Sequence, residues 1–214
     1  MAAWWTDTLL VLLFVLNVFA LGTSRIRAVI RIVGAQGLVL GVLTLLVHET
    51  LDVRAFAVAA LTGALKGVVI PGMLMRAMKK AQIRLAVEPF ISLGASMLLG
   101  AVGAGLALAF TRTLPLIAGE EMRLLVPAAL TTSFTGFLLL TTRLKAINQV
   151  LGYLVLENGI FLFGLLLLEA VPLLVEVGAL LDLVVGIFVM GIIIDHIQRE
   201  FSTMDTRELS SLKE

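Results

Sequence analysis

Three ionisable residues lie deep inside long apolar stretches of the sequence: Glu157, Asp182 and Lys66. A charge near the centre of a bilayer costs about 2.5–3.5 kcal/mol on insertion scales, so such residues persist where they have a partner or a task. A carboxylate in a low dielectric favours its neutral form, and a neighbouring ammonium favours the charged form. Groups balanced between these tendencies can take up and release protons. The residues therefore predict a proton relay or ion site; a structural ion pair or polar contact is the alternative.

Three further residues support this predicted site. Gln36 and Asn158 lie in apolar stretches and cannot titrate, so we expect them to form hydrogen bonds between helices, as Asn17 also could. Pro71 follows Lys66 by five residues and removes a helix hydrogen bond. It is either an ordinary membrane-helix proline or a bend that opens space around Lys66.

The composition is that of an integral membrane protein with little mass outside the bilayer. Apolar residues make up 60% of the 214 residues. Charged residues are 14%, against about 25% in soluble domains, and the mean hydropathy is +1.09. The chain has no cysteine and two histidines, so we predict no metal site and no cofactor bound by this chain. The net charge of +1 gives no reason to expect nucleic acid as a partner.

The elements that position these residues are membrane-spanning helices. A span needs about 20 mostly apolar residues, and the stretches lack the alternation of barrel strands. The predicted fold is an all-α integral membrane protein with seven transmembrane helices, near 8–23, 28–47, 54–75, 88–110, 124–142, 149–169 and 173–196. Trp4 and Trp5 precede the first span instead of a basic signal-peptide segment, and we expect them to anchor at the interface, with a quinone contact as the alternative.

The loop charges predict the orientation. The first, third and fifth loops carry a basic excess, in Arg25, Arg27 and Arg31, in Arg76, Lys79, Lys80 and Arg84, and in Arg143 and Lys145. Because basic loops remain cytoplasmic, we expect a multi-pass protein of the cytoplasmic (inner) membrane. Its N-terminus would then be outside and its C-terminus in the cytoplasm.

An internal repeat is visible around two of the buried charges. AALTGALKGVVIPGMLM, which holds Lys66, parallels EVGALLDLVVGIFVMGI, which holds Asp182. This predicts two parallel three-helix repeats, 1–75 and 124–196, joined by a connector helix and loops over 76–123 and followed by a cytoplasmic tail over 197–214. Small residues on the connector favour close packing with a neighbouring helix; they are Ser96, Gly100 and Ala104.

The same residues resemble known membrane proteins. From about residue 124 onward the chain is similar to subunit K of NADH-quinone oxidoreductase and to component C of Mrp-type antiporters, through GYLVLENGIFLFG, ALLDLVVGIFVMGI and the tail MDTRELSSLKE. The whole chain resembles hydrogenase-4 component E of group 4 membrane-bound hydrogenases, through ALKGVVIPGML, GYLVLENG, LLVEVGALLD and SSLKE. The resemblance implies that Glu157 matches the glutamate in the second helix of subunit K. Asp182 stands where the third helix carries an acid, and Lys66 matches a lysine of component E.

The resemblance implies a non-catalytic membrane-arm subunit of a complex I-like oxidoreductase, with a group 4 hydrogenase as the expected complex. Its implied tasks are scaffolding and proton relay through Glu157, Asp182 and Lys66. Its implied partners are antiporter-like and quinone-subunit-like membrane subunits and a peripheral redox module that carries the catalysis. Two alternatives stay open, an Mrp-type cation/proton antiporter subunit and a purely structural spacer.

Overall fold

The structure, a computed structural model, describes residues 2–47, 53–80, 90–113 and 124–166. Apart from their short connections, these residues are helical. The helices are α1 (Ala2–Gly22), α2 (Ile26–Val47), α3 (Val53–Ala64), a π-helical turn (Leu65–Val69), α4 (Ile70–Lys80), α5 (Leu93–Thr113), α6 (Leu125–Thr142) and α7 (Ala146–Leu166). The predicted seventh span, Asp182 and the predicted tail lie outside the described residues.

Six helices in the described part of the chain are long and apolar enough to cross a membrane. They are Trp4–Gly22, Ile26–Val47, Ala55–Met78, Leu93–Thr113, Leu125–Thr142 and Ile147–Leu166. They correspond to the first six predicted spans, so the prediction of an all-helical membrane protein is confirmed for these residues. The predicted seventh helix, the repeat and the domain boundaries stay predictions. The fourth span begins at Leu93, later than predicted, because the Ser92 hydroxyl accepts the Ala95 N–H at 3.1 Å and caps the helix.

The third span is one helix interrupted by a π-turn. Within it the Ile70 N–H donates to the carbonyl of Leu65, five residues earlier. Pro71 follows at once and has no N–H to continue the α-helical ladder. The wider turn accommodates this loss and places Lys66 at an irregular point of the span, a type of feature that is frequent at functional sites.

Four helices form the centre of the bundle. Helix α1 packs against α2 and α6, while α7 packs against α2 and along most of α6. Helix α5 contacts α1 and α6, and the third span packs on α2. The predicted small-residue face of α5 is partly confirmed: Ser96 is fully buried, and a side chain at Gly100 would collide with Leu21 of α1.

Two glycines permit very close contacts between helix backbones. A Cβ at Gly37 of α2 would overlap the backbone carbonyl of Lys66, and a Cβ at Gly136 of α6 would overlap the backbone of Leu156 in α7. Only glycine allows two backbones to approach this closely. These contacts fix how α2 meets the third span and how α6 meets α7.

Contacts at the ends of the helices bring the first and fifth loops, both basic, to one side. Arg143, just after α6, donates from Nη2 to the carbonyl of Leu21 near the end of α1 at 2.9 Å. The Phe90 N–H, just before α5, donates to the carbonyl of Thr142 at 2.7 Å. The first and fifth loops therefore lie together at one end of the bundle, beside the segment that enters α5. Whether this end is cytoplasmic stays a prediction.

Candidate functional site

The centre of the site is a buried ion pair between two of the predicted relay residues. Lys66 Nζ lies 2.8 Å from Glu157 Oε1, and the two side chains are only 10% and 6% exposed. Lys66 belongs to the π-turn of the third span, and Glu157 lies in the middle of α7. The sequence predicted that both would be buried, and the structure brings them into direct contact.

An aromatic ring adds to the environment of the lysine. The centroid of the Phe161 ring is 5.2 Å from Lys66 Nζ. Phe161 follows Glu157 by four residues, so both lie on the same face of α7. A desolvated cation–π contact contributes about 2 kcal/mol. The sequence analysis did not single out Phe161; its i+4 spacing from a buried acid is the signal that could have found it.

The pair can exist in two protonation arrangements with the same total charge. A charge-assisted hydrogen bond of this length joins the ammonium to the carboxylate. If the proton crosses from Lys66 to Glu157, both groups become neutral. The low dielectric strengthens their attraction but also penalises each charge. A change in a nearby charge therefore alters the balance between the two arrangements, and a proton-transfer element needs this property.

A second polar group is a chain of side-chain hydrogen bonds that links four helices. Asn158 Nδ2 of α7 donates to Gln36 Oε1 of α2 at 3.3 Å. Gln36 Nε2 donates to Asn17 Oδ1 of α1 at 2.8 Å. Asn17 Nδ2 donates to Thr132 Oγ1 of α6 at 2.8 Å. All four residues are at most 2% exposed, so Gln36 and Asn158 form the helix–helix hydrogen bonds that the sequence led us to expect.

The ion pair and this hydrogen-bond chain meet where α2 faces α7 and the third span. Glu157 and Asn158 are adjacent on α7, and Gln36 and Gly37 are adjacent on α2. Asn158 bonds to Gln36, while the backbone at Lys66 lies against Gly37. One short stretch of α2 thus touches the elements that carry both members of the pair.

Asp182, the third predicted relay residue, lies outside the described residues. Pro71 lies directly after the π-turn that holds Lys66, with its ring against Gly34 of α2. In the parts of the chain that the structure describes, no three His, Asp or Glu side chains gather as a metal site would require. Trp4 and Trp5 are 83% and 65% exposed at the start of α1, where interfacial anchors would lie.

Arg143 is a buried cation that the sequence analysis treated only as a loop charge. Its side chain is 2% exposed, and its Nη2 donates to Leu21 as described above. Burial lowers the pKa of this guanidinium from its usual value, yet arginine stays protonated in proteins. The negative ends of α1 and α6 lie beside it, so its role is to tie two helix ends together. Its position in a basic loop gave no sign in the sequence that its side chain is buried.

Comparison with known proteins identifies two kinds of relative. Over 194 residues, covering 88% of this chain and 87% of the relative, it is 34% identical to "Uncharacterized protein Rv0085" of Mycobacterium tuberculosis. Over 100 residues, covering 47% of this chain and 45% of the relative, it is 33% identical to "Hydrogenase-4 component E" of Escherichia coli K12. The protein of that name from Shigella flexneri matches equally. No family model matches the chain, and no solved structure matches it significantly.

Proposed function

We propose that this chain, which belongs to the family of the Mycobacterium tuberculosis protein Rv0085, is a non-catalytic membrane subunit of a hydrogenase-like, complex I-like oxidoreductase. The proposal draws on the similarity to hydrogenase-4 component E, which spans about half of each chain. The six apolar helices supply the membrane location. The expected partners are antiporter-like and quinone-subunit-like membrane subunits and a peripheral redox module.

The observation that carries a proton-handling role is the desolvated Lys66–Glu157 pair. A purely structural spacer gains little from such a pair, because replacing a buried ion pair with apolar residues is often neutral or stabilising. The pair is therefore better explained by a task that needs a mobile proton. Asp182 is proposed as the next member of the relay, with waters or partner residues bridging the gaps.

The test is Glu157→Gln in the purified native complex, with proton translocation and electron transfer to an artificial acceptor measured side by side. Glutamine keeps the shape of the side chain but cannot release a proton. We expect translocation to fall at least tenfold while electron transfer is largely retained. Asp182→Asn should behave alike, and Lys66→Met should impair translocation or assembly.

The matched control is Thr111→Val. Thr111 is a buried residue of α5 whose hydroxyl donates to the carbonyl of Ala107 in its own helix at 2.7 Å. It should leave translocation unchanged. Wild-type pumping stoichiometry in both Glu157→Gln and Asp182→Asn complexes would make the acids structural and favour the spacer.

The second candidate is a subunit of an Mrp-type antiporter. It is favoured by the resemblance of GYLVLENGIFLFG to Mrp component C, and it uses the same Lys66–Glu157 pair. Purification of the native complex separates the two candidates. A co-purifying nickel–iron subunit supports the hydrogenase, whereas antiporter subunits without any redox subunit support the second candidate.

A further inference from the structure

We infer that Gln36 is a positioning residue for the Lys66–Glu157 pair, acting together with its neighbour Gly37. The proposed function supplies the purpose of this arrangement, but the geometry stands without it. Two adjacent residues of α2 each hold one of the two elements that carry the pair. The distance between the ammonium and the carboxylate is then set by α2, which contributes no charge to the pair.

Gly37 fixes the lysine side of the pair. Any side chain at this position would overlap the carbonyl group of Lys66, so the absence of a Cβ decides how closely the π-turn approaches α2. Gly41, one turn further along, makes a similar approach to the third span, since its Cβ would lie 2.9 Å from the Cα of Gly63. The third span is thus held against α2 by backbone contact at two successive turns.

Gln36 fixes the glutamate side. It is fully buried and uses both ends of its amide, accepting from Asn158 of α7 and donating to Asn17 of α1. Because Asn158 directly follows Glu157, a bond that holds Asn158 also limits sliding and rotation of the Glu157 backbone. The bond from Gln36 to Asn17 keeps the amide oriented, since each of its two ends has a fixed partner.

The pair cannot set its own geometry. The lysine side chain is a flexible four-carbon stem with a freely rotating head, so it can follow α7 over several ångströms or accept a water between the charges. A proton crosses a direct 2.8 Å hydrogen bond far more readily than a wider gap. Proton exchange between the two groups therefore needs an external constraint on helix spacing, and Gln36 with Gly37 supplies one.

The experiment is a distance measurement by magic-angle-spinning NMR on the full chain in lipid bilayers, labelled with ¹⁵N at lysine Nζ and ¹³C at glutamate Cδ. The contribution of Glu157 is isolated by subtracting the spectrum of Glu157→Gln. The wild type should show strong dipolar coupling between Lys66 and Glu157. Gln36→Leu removes both amide bonds at similar volume, and it should weaken the coupling about fivefold as the direct bond becomes water-mediated.

Two further variants keep the test decisive. Gly37→Ala should weaken the coupling from the lysine side, and Asn158→Leu should reproduce the effect of Gln36→Leu without changing α2. Gln36→Leu combined with Asn158→Leu should lose no more coupling than either alone, because Gln36 acts through Asn158. Thr111→Val, a buried hydroxyl-to-methyl change away from the pair, controls for general loosening and should retain wild-type coupling.

Full coupling in a folded Gln36→Leu or Asn158→Leu protein would overturn the inference and leave the proposed function intact. If Gln36→Leu does not fold, Asn158→Leu decides the question alone. Absence of Lys66–Glu157 coupling in the wild type would instead remove the basis of the proposed function. Intact coupling with no effect of Glu157→Gln on proton translocation would reject the proposed function and leave the positioning role standing.

Discussion

Removing one partner of the Lys66–Glu157 pair should destabilise the protein far more than removing both. Glu157→Leu leaves an ammonium that is 10% exposed, and its contact with the Phe161 ring at 5.2 Å is already present in the wild type. Breaking a buried pair in this way costs about 3–5 kcal/mol, and the ring contact, present before and after the change, does not reduce that cost. Lys66→Met should cost a similar amount because it removes the cation beside a buried carboxylate.

The double variant Lys66→Met/Glu157→Leu removes both charges and keeps the volume roughly constant. Its free energy of unfolding should lie within about 1 kcal/mol of the wild type, because apolar replacement of a whole pair is often neutral. With each single variant about 3–5 kcal/mol less stable and the double variant near neutral, the coupling free energy from the double-mutant cycle should be about 6–10 kcal/mol. Neutral hydrogen bonds between membrane helices average only about 0.6 kcal/mol in such cycles.

The assay is reversible unfolding in mixed detergent–SDS micelles, followed by helical circular dichroism for the wild type, both single variants and the double variant. Thr111→Val again serves as the control. A coupling free energy no larger than that of a neutral hydrogen bond would refute the reasoning, since it would mean that the two groups are hydrated or uncharged in the folded protein.

Three other predictions follow from the packing and the loop charges. Gly136→Ala should destabilise the folded protein by about 1–3 kcal/mol, because the new methyl overlaps the backbone of Leu156. Its control is Gly105→Ala, whose methyl meets nothing within 4 Å and which should be neutral or stabilise the protein by up to about 1 kcal/mol. The same micelle unfolding assay measures both variants. Asn17→Leu should lower the free energy of unfolding by about 1–2 kcal/mol in that assay, because Gln36 and Thr132 each lose their hydrogen bond to Asn17. An unchanged free energy of unfolding would mean that the hydrogen-bond chain does not stabilise the protein. The cysteine of Asp205→Cys should resist a membrane-impermeant thiol reagent in intact cells and react after permeabilisation. Ready labelling in intact cells would contradict the predicted cytoplasmic C-terminus.

The burial of the site could be predicted from the sequence because charge is anomalous inside an apolar stretch. Glu157 and Lys66 stand out against their neighbours without any knowledge of packing. The first six helices were predictable for a related reason, since the thickness of the bilayer fixes the length of a span. The start of α5 was placed too early because the apolar run continues before the Ser92 cap, and hydropathy does not register a cap.

The pairing could not be predicted because it depends on the lateral contacts and register of helices. The repeat aligned Lys66 with Asp182, but it did not indicate which buried residue Lys66 contacts. That Lys66 meets Glu157 follows from the glycine contacts of α2 and from the spacing of α7 against it. Apolar helices resemble one another too closely for a sequence to fix such contacts. Pro71 marked an irregular segment, but a kink and a π-turn accommodate the missing N–H equally well.

The observed pairing changes the order of events in the proposed relay. Glu157 already accepts a hydrogen bond from Lys66, so a proton taken up by Glu157 removes the charge that holds the ammonium in place. The first step of the relay is therefore a change within this pair, and transfer toward Asp182 comes second. Lys66→Met should accordingly block the relay even where Asp182 is intact. Asp182→Asn should block it while leaving the Lys66–Glu157 coupling at its wild-type strength, which the NMR measurement on that variant would establish directly.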